Sequence, residues 1–257
     1  MLAGKTILVS GVGPGLGRAI ASVAHRDGAN VMIAARREES LRESAHLIDP
    51  SGDRVAWKVT DITDHEQDDA VVAATIDRFG ALDGVVHCAA FDSLMGGLEG
   101  ADLAVWRDVF EVNVFGSIQL TRSALPHLKA SRGSIVIISS QTLYHPTVLQ
   151  TAYGASKGAL LGAMHSLAFE FGPAGVRVNQ VVPSWMWGPP VEGYVNYLAA
   201  QRGVSPDDVL AEITKPMALR KMTEDDDVAE AVAFLLSDRS KAITGQSLFV
   251  NSGELMT

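Results

Sequence analysis

Short apolar runs alternate along the chain with longer stretches whose apolar positions recur at helical spacing. The runs at 6–10, 31–35, 55–59, 82–86, 134–138, 176–182 and 246–250 read as strands. The stretches at about 15–27, from about 38, and at about 64–79, 101–130 and 153–171 read as helices. Strands this uniformly apolar do not alternate inward and outward faces, so both faces must be covered. With a helix after almost every strand, the pattern predicts an α/β fold: a doubly wound parallel sheet with helices on both faces, Rossmann-like.

The rhythm runs from end to end without a Pro/Ser-rich linker, repeat or low-complexity segment, so residues 1–257 are expected to form a single domain. Only about 184–224 falls outside it. With Pro189-Pro190 and the Tyr194/Tyr197 pair, that segment is expected to cover the substrate as an insertion, not to form a second domain.

Composition narrows the choice of partner. A hydrophobic content of 47% supports a buried core, and a net charge of −9 leaves no basic stripe for nucleic acid or an anionic membrane. Cys88 is the only cysteine, which rules out an intramolecular disulfide and a cysteine metal cage and fits a reducing compartment. No charged-then-apolar leader precedes Lys5, and no run approaches the roughly 20 apolar residues that span a bilayer. A cytoplasmic protein acting on a dissolved small molecule is expected, with no metal.

Candidate chemistry begins directly after the first strand, where Ser10-Gly-Val-Gly-Pro-Gly-Leu-Gly17 opens a helix. Glycines let backbone approach a ligand, and a helix N-terminus presents unpaired N–H groups to a pyrophosphate. The strict G-x-G-x-x-G frame fails, because Leu16 or Arg18 stands at the third glycine depending on the frame. The loop alone therefore leaves both a dinucleotide site and a merely tight turn open. At the end of the second strand, where an NAD site places an acid on the ribose, stands Ala35, followed by Arg36 and Arg37. An arginine there suits a 2′-phosphate, so NADP(H) is expected ahead of NAD(H), with Arg36 preferred over Arg37; a solvated arginine pair is the alternative.

Tyr153 and Lys157 lie four apart at the start of a predicted helix and share one face. An ammonium beside a phenol favours phenolate and would bring its pKa down toward neutrality, although the same spacing is common on helix surfaces. Ser139-Ser140 ends the fifth strand, at the edge where doubly wound sheets bind ligands.

With these residues the chain resembles the short-chain dehydrogenase/reductase family, whose marks are a Gly-x-x-x-Gly-x-Gly loop, a serine and Tyr-x-x-x-Lys. Gly11, Gly15 and Gly17 match the loop, Ser140 the serine, and Tyr153 and Lys157 the last pair. Asp61 in Asp-Ile-Thr63 is similar to the family's Asp-Val-Thr near the adenine, and Asn113 in Asn-Val-Phe-Gly116 to its active-site asparagine. Read alone, Asp61 could cap a helix and Asn113 could be an internally bonded core residue.

The resemblance implies an oxidoreductase that moves hydride between NAD(P)(H) and a carbonyl or secondary alcohol. Tyr153 would exchange the proton, Ser140 bind the carbonyl oxygen, Lys157 supply charge and bind the ribose, and Asn113 hold a water. Leu16, Ile62, Ala89, Pro183 and Met186 would line the cofactor cleft with Gly11, Gly15, Gly17, Arg36 and Asp61. A homotetramer or homodimer is implied. A non-catalytic dinucleotide sensor or scaffold on the same fold is the rival, as is transient cofactor use in epimerisation or dehydration.

Departures from the family pattern cluster near the pocket. His87-Cys88 replace two asparagines, Ser184 and Gly188 replace a glycine and a threonine, and Asn251-Ser-Gly253 replaces Asp-Gly-Gly. His87 is expected to be structural and Cys88 a buried filler. Phe91, Met95, Tyr144, Trp185 and Trp187 could line an apolar pocket for a bulky or cyclic substrate, or pack a lid or interface. Thr223 to Asp226 reads as a helix cap.

Overall fold

The predicted apolar runs all form strands: the five inner ones pair in parallel on both sides and are covered on both faces, while the two at the sheet edges pair on one side and are partly exposed. The computed structural model describes residues 1–92, 98–146 and 150–256. Its strands are β1 (Thr6–Ser10), β2 (Asn30–Ala35), β3 (Val55–Val59), β4 (Gly84–His87), β5 (Ser134–Ile138), β6 (Arg177–Pro183) and β7 (Ser247–Val250). They pair in parallel in the order β3-β2-β1-β4-β5-β6-β7. The order reverses between β1 and β4, and there the register sets Ser10 opposite His87. Both strands thus end at the same level, which opens the crevice in which such sheets hold ligands.

Helices α1 (Leu16–Arg26), α2 (Glu38–Ile48) and α9 (Asp225–Leu236) lie on one side, where Ile20, Val23, Val228 and Val232 meet Ile7 and Val9. On the other, α3 (His65–Phe79), α5 (Ser117–Ser131) and α6 (Thr151–Phe171) bring Val71, Leu120 and Leu160 onto Leu8 and Val85. Successive strand residues therefore serve opposite cores, which is why the strands carry no polar alternation.

Two features differ from the sequence pattern. The stretch predicted as one helix over 101–130 is α4 (Leu103–Phe110) joined to α5 by a π-helical turn, Glu111–Gly116. That wider turn lets Gly116 press on β3's exit loop, where an added methyl would lie 2.6 Å from the Ile62 carbonyl oxygen. The region 184–224 is not irregular: α7 (Pro189–Arg202) and α8 (Pro206–Thr214) pack on each other through Val195, Ala199 and Val209. Thr223 to Asp226 does start a helix as expected, with Glu224 and Asp227 forming the reciprocal cap of α9. Among the described residues no helix is long and apolar enough to cross a membrane.

One buried group works against the fold. Asp68, in the first turn of α3, is 0% exposed, and neither carboxylate oxygen has a hydrogen-bond partner. Burial, with Asp69, Asp64 and Asp61 nearby, pushes its pKa up to about 7. The unfolded chain releases this proton near pH 4, so the group's contribution to stability is intact below that and is lost as pH rises to about 7. Asp68→Val should therefore raise the thermal midpoint, and more at pH 8 than at pH 5, by an amount on the order of 3 kcal/mol at the higher pH. Denaturation of both proteins at the two pH values measures it, and an equal gain at both would refute the titration.

Candidate active site

The crevice between β1 and β4 is built by contacts that exclude side chains. Gly11 has φ +90, and a methyl placed on it would lie 2.2 Å from the Ala89 backbone nitrogen; one on Gly17 would lie 2.5 Å from the Gly11 carbonyl oxygen. Only hydrogen fits at either position, so the loop sits flush against the end of β4. Gly15 caps α1 with φ +113 and no side chain bonds the helix end, which leaves the N-terminal N–H groups of α1 facing outward beside Leu16. Arg37 reaches this loop, its Nη2 3.9 Å from a methyl built on Gly13, while Arg36 and Arg37 are both exposed. Asp225 Oδ2 approaches from α9, 3.4 Å from a methyl on Gly15.

The remaining predicted cofactor residues follow the ends of β3 and β6. Asp61 does not cap α3: its Oδ1 accepts from Thr63 N at 3.1 Å and Thr63 Oγ1 at 2.8 Å, and Asp64 takes the cap by accepting from Glu66 N. Ile62 is buried against Gly116. Pro183 ends β6, and Met186 pairs with Thr223 across an isolated parallel bridge. The flush loop, the uncapped helix N-terminus and the two exposed arginines fit a dinucleotide, with its pyrophosphate at Gly15 to Gly17 and its ribose at Arg36 and Arg37.

At the carboxyl ends of β4 and β5 the polar groups converge. The Tyr153 phenol shares a hydrogen bond with the Ser140 hydroxyl, which also accepts from Thr142 Oγ1 at 3.0 Å. Lys157 is buried and donates to the Ile138 carbonyl at 2.8 Å, with Nζ 5.3 Å from the centre of the Tyr153 ring. Asn113, 0% exposed, is fully engaged: Oδ1 accepts from Phe91 N at 2.7 Å, while Nδ2 donates to Phe91 O at 3.2 Å and to Ser156 Oγ at 2.9 Å.

Charges here differ from what Tyr153 and Lys157 predict as a pair. The tyrosine pKa is pushed upward, chiefly by burial and then by Asp92, with the Ser140 hydrogen bond opposing only in part. Lys157 sits against the ring, not the hydroxyl, and burial brings its own pKa down to about 8. The resting phenol is thus neutral, the form that can donate a proton.

His87 Nε2 bonds Thr121 Oγ1 at 2.8 Å, and its Nδ1 is enclosed without a partner. Burial and the nearby Lys157 lower its pKa to about 4, so it is neutral at physiological pH. Burial pushes the Cys88 thiol up to about 12, which makes it unreactive. Among the proposed pocket aromatics, Tyr144 lies against Phe249, at 4.9 Å between ring centres, and bonds Gln180 and Ser247. Trp185 stacks on Tyr194 of α7 at 5.8 Å, and Phe91 and Trp187 are exposed. Met95 lies outside the described residues.

Four supporting residues escaped the sequence reading. Ser156 links Asn113 to the Tyr153 carbonyl, donating to it at 2.7 Å. Asn251 donates to Gln141 Oε1 at 2.8 Å and so braces the residue after Ser140. Asp92 and Gln150 bond each other beside Tyr153. Ser156 was findable as the neighbour of Lys157 on the same helix; the other three carry no local signal.

Comparison with known proteins agrees with this geometry. A family model described as enoyl-(acyl carrier protein) reductase matches residues 11–254. The chain is 32% identical over 250 residues to tropinone reductase-like 3 of Erythroxylum coca, covering 97% of this chain and 93% of that one. A short-chain dehydrogenase/reductase of the glucose/ribitol dehydrogenase type from Brucella melitensis superposes with a TM-score of 0.89 at 28% identity, over 100% of this chain and 98% of that one. A 3-ketoacyl-(acyl-carrier-protein) reductase from the same organism, complexed with NADH, superposes with a TM-score of 0.87 at 26% identity over the whole of both chains. A flush glycine loop, a serine and a tyrosine–lysine pair on this sheet, together with a family model spanning nearly the whole chain, establish that it belongs to the short-chain dehydrogenase/reductase family of NAD(P)-dependent oxidoreductases.

Proposed function

We propose that this oxidoreductase interconverts a bulky or cyclic ketone and its secondary alcohol, with NADP(H) preferred over NAD(H). The observation that carries the reading is the Ser140–Tyr153 hydrogen bond with Lys157 buried behind it, at the strand ends that face the nucleotide crevice. A bound nicotinamide dinucleotide supplies or accepts the hydride. Ser140 and Tyr153 hold the carbonyl oxygen between two hydroxyls, and Tyr153 delivers its proton as negative charge develops there. Lys157 then stabilises the phenolate, and it would hold the ribose of the bound dinucleotide. The Asn113 side chain is committed to Phe91 and Ser156 and its main-chain carbonyl accepts from Ser117, so a relay water at this turn would take the carbonyl's second acceptor site.

Trp187 and Phe91 supply apolar surface at the mouth, and α7 and α8 cover it, excluding water from the reacting carbonyl. Arg36 and Arg37 with no acid at position 35 favour a 2′-phosphate. Phe115 is 54% exposed and Phe169 89%, apolar surface that supports association of copies through α6 and the turn before α5. A single cysteine suits a cytoplasmic protein.

Tyr153→Phe should lower turnover by about a thousandfold while NADPH affinity stays within about twofold, as read by ketone-dependent NADPH oxidation and fluorescence titration. Near-normal turnover would overturn the assignment. Wild-type protein should bind NADPH more tightly than NADH, and Arg36→Ala with Arg37→Ala should weaken NADPH by about tenfold or more with little change for NADH. Tighter NADH binding by the wild type would refute the cofactor preference.

A further inference from the structure

Asp92 lies two residues past the family's Ala-Gly position, in the loop leaving β4, and the structure fixes where it stands. Both backbone polar groups of Phe91, the residue before it, are clamped by the buried Asn113 side chain, at 2.7 and 3.2 Å. Asn113 is itself tied to Ser156 on α6, so the loop is fastened to the helix that carries Tyr153 and Lys157. Gln150, at the start of that helix, donates to the two Asp92 carboxylate oxygens at 3.4 and 3.2 Å. The Asp92 charge is felt by both Tyr153 and Lys157 and opposes ionisation of the phenol, which places it beside the reacting groups.

A carboxylate has about four acceptor sites, and one amide fills only part of that capacity. Among the described residues Asp92 forms no ion pair, and it is exposed while bonded to Gln150. Burial of the remainder raises its pKa, as expected of a carboxylate short of donors. A substrate seated against Tyr153 therefore meets a fixed, under-satisfied negative group.

We propose that Asp92 is a specificity-determining residue that selects ketones and alcohols bearing a hydrogen-bond-donating hydroxyl or ammonium group and rejects those bearing a carboxylate. The reading rests on the oxidoreductase function proposed above and names its substrate class. The donor fills open acceptor sites of Asp92 in place of water, whereas an anion placed there meets like charge. The apolar body of the substrate lies against Phe91 and Trp187.

The test uses the purified protein with NADPH and three ketones of one shape: cyclohexanone, 4-hydroxycyclohexanone and 4-oxocyclohexanecarboxylate. Wild type should favour the hydroxyl ketone over the carboxylate by about tenfold or more in kcat/KM. Asp92→Asn keeps an acceptor for Gln150 and removes the charge. It should cut that ratio by about tenfold, mainly through a lower KM for the carboxylate, with cyclohexanone on the same variant as the reference for any change common to all three ketones. An unchanged ratio, or an equal loss on all three ketones, would overturn the proposal and assign Asp92 to loop structure alone. Calorimetric binding of the same ketones to the NADP+ complex of both proteins reads the ratio without turnover. If no ketone is reduced while that binding order shifts as expected, the proposed ketone class fails and the ligand selectivity of Asp92 stands; if the order does not shift, the selectivity fails.

Discussion

The contact between Gly11 and the backbone of Ala89 holds the two halves of the molecule at the distance its chemistry needs. A single methyl at Gly11 would fall within 2.2 Å of the Ala89 nitrogen, which no rearrangement of side chains can relieve, since both partners are backbone. This is the point at which strand order reverses, so the contact sets the width of the crevice between β1 and β4. The crevice floor in turn fixes the level at which β4 ends, and with it the loop that carries Phe91 and Asp92.

From that floor a chain of buried polar contacts runs to the helix that carries Tyr153 and Lys157. His87, at the end of β4, bonds Thr121; Thr121 donates to the Ser117 carbonyl, and Ser117 to the Asn113 carbonyl. Asn113 then reaches Phe91 and Ser156, and Ser156 the Tyr153 backbone. Such a network is costly when incomplete and rigid when satisfied, so it holds Tyr153 and Lys157 against Ser140 more firmly than α6 could alone. Its unfilled member is Nδ1 of His87, at a position where the family carries an asparagine.

Burial works on the reacting groups in opposite senses. It holds the phenol protonated and pulls the ammonium toward neutrality, because both ions lose water. The sequence suggested a simpler relation, in which charge on Lys157 lowers the tyrosine. Spacing along a helix reveals that two side chains share a face, but not that one of them lies over the other's ring while the carboxylate of Asp92 also acts on the phenol.

The strands, their parallel pairing and most helices were legible in the chain because burial on two faces leaves a continuous apolar signal, and the glycine loop because backbone approach tolerates no side chain. Ser140, Tyr153 and Lys157 were legible because each is bound to a strand end or helix start that the pattern already located. Residues 184–224 hid two helices because α7 and α8 bury a face mainly against each other, outside the strand–helix alternation that located the rest. Asp92, Gln150, Asn251 and the clamp on Phe91 depend on partners 22 to 110 positions away. Local sequence records which residue can make a hydrogen bond; only the closed fold decides which donor and acceptor meet, and that choice shapes the substrate side of this site.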